Sequence, residues 1–201
     1  MIYPINNESI NLSQSLINDG EIIAYPTDTL YGFGVDATNS KAITKLNILK
    51  GRTQPLSIIL GNINDIQKYA YATEELLTII SKYLPGPYTI LLKKKKSNLS
   101  ELITYGSELI GIRIPKHNFP IELVSAFKKP IVTTSINNKG SKPLNQTDDI
   151  ENNYPEISIF EDQEQTFIHS IGSTILNLNN NEQLIRQADG EFPLWIIVTK
   201  E

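Results

Sequence analysis

Apolar residues recur along this chain in two rhythms, and the changes of rhythm mark out its elements. Residues 7–19 carry Ile10, Leu12, Leu16 and Ile17 at helical spacing with Gly20 directly after, the pattern of a short amphipathic helix and its stop. The run EIIAYP is apolar and β-branched and is closed by Pro26, which predicts a buried strand. The polar stretch TDTLYGFG reads as loop. Beyond it Asn39 or Ser40 is placed to cap a helix bearing Ala42, Ile43, Leu46 and Leu49. That helix ends at Lys50-Gly51-Arg52, and Pro55 leads into a strand, LSIIL.

Helices are expected over 63–71 and 74–83, and YTILLKK is a strand beyond the Pro85-Gly86-Pro87 break. IGIRI at 110–114 is a further strand, followed by a helix over 119–127 and a strand at PIVTTS. NNKGSKPLNQT reads as loop, STILNL and QLIRQ as a hairpin, and FPLWIIV as one more strand. Alternating strands and helices predict an α/β fold, and the late hairpin predicts a mixed sheet over a wholly parallel one. No linker divides the chain, so one domain over residues 1–201 is expected.

Composition narrows the functional classes. The 201 residues are 40% hydrophobic and 20% charged, enough apolar material for a core. A net charge of -4 argues against a protein that coats nucleic acid electrostatically. Lys93, Lys94, Lys95 and Lys96 form a local basic run, read either as a solvated strand end or as an RNA contact. With no cysteine, disulfides and thiol nucleophiles are excluded, and two histidines, His117 and His169, cannot build a multi-histidine metal site. No secretory signal and no membrane span is visible, so a cytoplasmic setting is expected.

The candidate chemistry sits at strand ends. YPTDTLYGFG, residues 25–34, offers hydroxyls on Thr27, Thr29 and Tyr31, the Asp28 carboxylate and two glycines, where α/β sheets place ligands. The plainer reading is a turn held by Asp and Thr side chains. Lys50 and Arg52 read as helix-end cations or as a phosphate clamp. Arg113 lies inside an apolar strand and needs a partner, either a structural carboxylate or that of a substrate; Arg186 raises the same question. Ser135, Asn137 and Ser173 lie at strand ends, where turn-forming is their usual role. There is no P-loop, no G-x-G-x-x-G and no plausible Ser-His-Asp set.

In order, YPTDTLYGFGVDA, KGR followed by PLSIIL, LPGPYTILL, IGIRIPKH, PIVTTSIN, GSTILNL and LIR resemble the YrdC/Sua5 family of threonylcarbamoyl-AMP synthases. The resemblance runs through nearly the whole chain and is similar to the single-domain bacterial type. It implies a twisted mixed α/β sheet with flanking helices around a positively charged cavity, with a core at about residues 9–195. It also implies a reaction in which L-threonine, bicarbonate and ATP, with Mg²⁺ accompanying the nucleotide, give threonylcarbamoyl-adenylate and pyrophosphate. That product feeds N6-threonylcarbamoyl modification of tRNA.

By the same resemblance, Thr29, Arg113, Ser135 and Ser173 hold threonine, with Arg113 facing its carboxylate. Arg52, Gln54, Asn137, Asn145 and Arg186 contact ATP, Lys50 and Arg52 carry the charge stabilisation, and no side chain ligates a metal. The chain departs from the family pattern where Gln-Ala-Asp-Gly follows Arg186 in place of Pro-Gly, and where Ile136 separates Ser135 from Asn137. A carbamoyl-adenylate-forming relative and a non-catalytic nucleotide- or RNA-binding paralogue are the competing expectations.

Overall fold

A computed structural model describes residues 1–51, 53–137, 141–164, 170–179 and 183–188. The expected strand at FPLWIIV, and with it His169, lies outside the described residues. The helices are α1 (Asn7–Asn18), α2 (Ser40–Leu49), α3 (Ile66–Tyr69), α4 (Glu74–Ile80), α5 (Asn118–Phe127) and α6 (Thr147–Asn153). The strands are β1 (Ile2–Pro4), β2 (Ile23–Tyr25), β3 (Gly32–Gly34), β4 (Ser57–Ile59), β5 (Tyr88–Lys93), β6 (Leu109–Arg113), β7 (Ile131–Ser135), β8 (Ser158–Glu161), β9 (Thr174–Asn177) and β10 (Gln183–Arg186).

These strands make one mixed sheet in the order β1-β8-β2-β3-β7-β4-β6-β5-β9-β10. β4 and β6 run parallel, as do β5 and β9, while β3 with β7, β5 with β6 and β9 with β10 are antiparallel. The mixed sheet and the late hairpin are therefore as expected. Both faces are covered, because successive strand residues point to opposite sides. Ile23, Tyr25, Ile59, Ile131 and Phe160 pack beneath α1 and α5 with Ile17, Phe119, Leu123 and Phe127. Their strand neighbours Ala24, Ile58, Val132 and Ile159 join the larger core on the other face, with Leu46 of α2 and Ile80 of α4. Two buried faces explain why the strands read as continuous apolar runs.

Helix ends follow local chemistry. The Asn6 side chain accepts from the backbone N–H of Glu8 and Ser9, and Ser9 Oγ accepts from Asn6 N–H, a reciprocal cap on α1. Asn39 caps α2 by accepting from Lys41 and Ala42. The expected helix over 63–71 begins as a 3₁₀ turn at Ile63–Asp65 before α3, and the one over 74–83 shortens to α4.

The largest departure from expectation is TDTLYGFG, whose last residues are not loop but β3, paired antiparallel with β2 as Tyr25 with Gly32 and Ile23 with Gly34. Glycine is poor in strands by propensity, yet crowding demands it here. A Cβ on Gly34 would lie 2.5 Å from the Tyr25 ring, and one on Gly32 would lie 3.3 Å from Thr133 Oγ1. No helix among the described residues is long and apolar enough to cross a membrane.

Candidate active site

The connection from β2 to β3 is shaped by Thr27. Its Oγ1 accepts from the backbone N–H of Thr29 and Leu30 and donates to the Leu30 carbonyl at 2.8 Å, so a six-residue connection becomes a fixed turn. That turn delivers Asp28 and Thr29 to the C-terminal end of β6. Arg113 Nη2 donates to Asp28 Oδ1 at 2.7 Å and to Thr29 Oγ1 at 3.2 Å. Asp28 Oδ2 in turn accepts from the Lys116 backbone N–H at 2.9 Å. Both members of the ion pair are 8% exposed, so each charge is matched where burying it alone would be costly. Of the two partners expected for Arg113, the structural one exists, and it is Asp28.

Two other networks face the same space. Thr89 at the start of β5 and Ser173 before β9 share a hydroxyl–hydroxyl bond of 2.7 Å. Arg186 reaches back from β10, its Nη2 donating to the Ser173 carbonyl at 2.6 Å and its Nε donating to the same oxygen at 3.2 Å. A bulge between Leu184 and Arg186 sets Arg186 opposite Ile175, a residue of the cavity wall. At the end of β7, Ser135 Oγ donates to Asn137 Oδ1 at 2.8 Å, and Asn137 Nδ2 donates to the Ser141 carbonyl.

The three networks enclose a cavity of about 510 Å³. Thr29, Gln54, Arg113, Ser135, Asn137, Ser173 and Arg186, all singled out from the sequence, lie on its wall. Thr27, Tyr31, Ser57, Thr89, Thr133 and Thr134 line it as well. Among the described residues the wall holds two guanidinium groups and no carboxylate, a surface suited to anions. Gly111 lies against two of the wall residues: a Cβ there would come 2.5 Å from Ser57 Oγ and 3.3 Å from Thr89 Cγ2.

Two described candidates fall elsewhere. Lys50, expected to add charge beside phosphates, does not line the cavity. It is 2% exposed, its Nζ donates to the Ser135 carbonyl, and it lies 5.9 Å from the Phe33 ring centroid. A buried ammonium needs an acceptor, and the carbonyl at the end of β7 is one. Asn145 is also off the wall, its Oδ1 buried without a hydrogen-bond partner among the described residues. Arg52 lies outside the described residues.

Sequence reasoning gave no role to Asp28 as the partner of Arg113, or to Thr89. The signal for Asp28 was present, a carboxylate in a turn preceding an arginine strand; Thr89 is invisible inside YTILL. The phenol of Tyr31 is raised to about 12, chiefly by burial, with the Asp162 N–H at 3.3 Å partly offsetting it and the Glu161 and Asp162 charges adding to it. Tyr31 is therefore a neutral phenol whose oxygen accepts from Asp162, and not a base.

The lysine run is set apart. Lys94, Lys95 and Lys96 border a separate depression with Tyr69 and Glu101. Lys94 Nζ donates to Thr104 Oγ1 and pairs with Glu101, and Lys95 Nζ donates to the Gln67 carbonyl. No group of three or more potential metal-ligating side chains exists among the described residues.

The family model for Sua5, YciO and YrdC, described as "Telomere recombination", matches residues 15–188. A Methanocaldococcus jannaschii protein is 38% identical over 156 residues, 75% of this chain and 72% of that protein. The threonylcarbamoyl-AMP synthase of Psychromonas ingrahamii is 34% identical over 142 residues, 68% of this chain and 74% of that enzyme. Sua5 of Pyrococcus abyssi, solved in complex with L-threonine, superposes with a TM-score of 0.85 at 25% identity, covering 94% of this chain and 57% of that one.

Proposed function

Because this chain belongs to the Sua5–YciO–YrdC family, we propose that it is an L-threonylcarbamoyladenylate synthase, a nucleotidyltransferase using L-threonine, bicarbonate and ATP. The observation that carries this reading is the cavity itself. It is large enough for a nucleotide and an amino acid, walled by hydroxyls and by two guanidinium groups from separate strands, with no carboxylate on its described wall.

In this reading Arg113 receives the threonine carboxylate, and Thr29, Ser135 and Ser173 surround its amine and hydroxyl. Gln54, Asn137 and Arg186 border the nucleotide, and Arg52 and Asn145 keep the ATP roles that the resemblance assigns to them. Lys50 acts from behind the wall, holding the Ser135 carbonyl and so the end of β7. The threonine nitrogen adds to the carbon of CO₂ formed from bicarbonate and loses a proton to give a carbamate. A carbamate oxygen then attacks the α-phosphorus, the bond to the β-phosphate oxygen breaks, and pyrophosphate leaves.

No protein nucleophile is required, so the residues contribute positioning and charge stabilisation. Mg²⁺ would accompany ATP and offset the charge of its phosphates; the described wall offers hydroxyl and amide oxygens but no carboxylate toward it. The product passes to the machinery that transfers the threonylcarbamoyl group to tRNA, and the reaction belongs to the cytoplasm.

ATP–pyrophosphate exchange measured with each substrate withheld in turn tests the proposal. Exchange should require both threonine and bicarbonate. Equal use of serine would point to a broader carbamoyl-adenylate enzyme, and saturable RNA binding without exchange would point to a binding module.

A further inference from the structure

We propose that Asp28 is a positioning residue that fixes the orientation in which Arg113 meets a carboxylate-bearing ligand; this rests on the functional reading above. Asp28 itself is not on the cavity wall, whereas Arg113 and Thr29 are. Its two carboxylate oxygens are divided between β6 and the connection that follows it. Oδ1 accepts from Arg113 Nη2 at 2.7 Å and Oδ2 from the Lys116 backbone N–H at 2.9 Å. The first bond sets the guanidinium plane; the second anchors the carboxylate to the chain just beyond β6, so the pair cannot swing as a unit.

The anchor is extended on its far side. His117 Nδ1 accepts from the Phe119 N–H, so Nε2 carries the proton and faces Asp162 Oδ2 at 3.1 Å. Residues 116–119 are thus tied to the start of α5 and to the end of β8. A guanidinium is a planar fork whose fit to a carboxylate depends on its plane, and Arg113 has long torsions that would otherwise leave that plane open. Asp28 is also short of the geometry for a direct role, because its oxygens point to Arg113 and Lys116 and not into the cavity. Its effect on a ligand therefore passes through Arg113, and the consequence is selective: carboxylate recognition depends on Asp28, and nucleotide recognition at the Arg186 side does not.

The test compares wild type with Asp28→Asn, which keeps the size of the side chain and its capacity to accept from Lys116. Calorimetric titration uses L-threonine, L-threoninamide (which lacks the carboxylate) and ATP as probes, with circular dichroism and thermal melting on both proteins. Affinity for L-threonine should fall by on the order of tenfold in the variant, the loss of one charge-assisted bond, while L-threoninamide and ATP change by less than about twofold. The threonine KM should rise with little change in kcat.

Should Asp28→Asn fail to fold, Asp28→Glu carries the same comparison, since it keeps the charge but displaces the carboxylate by one methylene. Equal weakening of threonine, threoninamide and ATP would mean a general structural role and would overturn the proposal. Undiminished threonine affinity in a folded variant would overturn it alone. No threonine binding by the unmodified protein would overturn the functional reading and this inference together.

Discussion

Arg113 and Arg186 face one cavity from strands of opposite character. Arg113 ends β6, a strand flanked on both sides by β4 and β5, and its guanidinium is 8% exposed and clasped by Asp28 and Thr29. Arg186 sits on β10, the last strand of the described sheet, exposed and bonded to a backbone carbonyl. One cation is integral to the core, where its removal would strand a charge; the other leans on the frame and can change with little effect on folding. The difference teaches that a single site can join a rigid half, suited to a small ligand of fixed shape, to an adaptable half at its rim.

The largest expected effect breaks the rigid half. Arg113→Met should lower unfolding free energy by about 3–5 kcal/mol, because Asp28 is left buried and unpaired. Urea unfolding measures it, and Asp28→Asn added to Arg113→Met should recover part of the loss. No recovery would mean that the two groups are not coupled. Next comes Gly111→Ala, two residues before Arg113. Its new Cβ meets Ser57 Oγ and Thr89 Cγ2, so stability should fall by about 1–3 kcal/mol. Ligand affinity should fall with it as Ser57 and Thr89 are displaced on the cavity wall, and both are read by melting in the presence and absence of substrates.

Arg186→Ala sharpens the contrast. Stability should move by about 1 kcal/mol or less, while the KM for ATP rises at least about tenfold. A stability loss equal to that of Arg113→Met would erase the distinction. The smallest effect is on the alkaline side. The folded Tyr31 phenol titrates near 12 against about 10 in the unfolded chain. Its contribution is therefore complete below about pH 10 and disappears as pH rises towards 12. Tyr31→Phe should remove that part of the alkaline slope and leave the activity profile between about pH 6 and 9 unaltered in shape.

The elements of the sheet also differed in how well they could be read from residues alone. Strands β2, β4, β5, β6 and β7 announce themselves as β-branched runs because both sheet faces are buried. β3 does not, since close neighbours force glycine where propensity wants bulk. β1 and β8 went unread because each is short and pairs with a segment distant along the chain, Ile2 with Ile159. α6 went unread because its sequence TDDIENN buries Thr147 and Ile150 within a polar stretch too thin to show a helical stripe.

At the site, polar residues at strand ends were legible by type and order. Lys50 was not, because a sequence states a charge but not whether burial turns it inward to a carbonyl. Asp28 was visible as a carboxylate, yet its partner came from a strand 85 positions away.

The bulge in β10 has an arithmetic of its own. Side chains on a strand alternate, so the position facing Ile175 is decided by whether the count from Leu184 is odd or even. Excising Ile185 would straighten the hairpin and keep Arg186 where it is in space; excising nothing but relaxing the bulge would hand its place to Ile185 and turn the arginine to the opposite side. Parity at a single position, invisible to composition, thus decides whether the cavity rim presents a cation or a hydrocarbon.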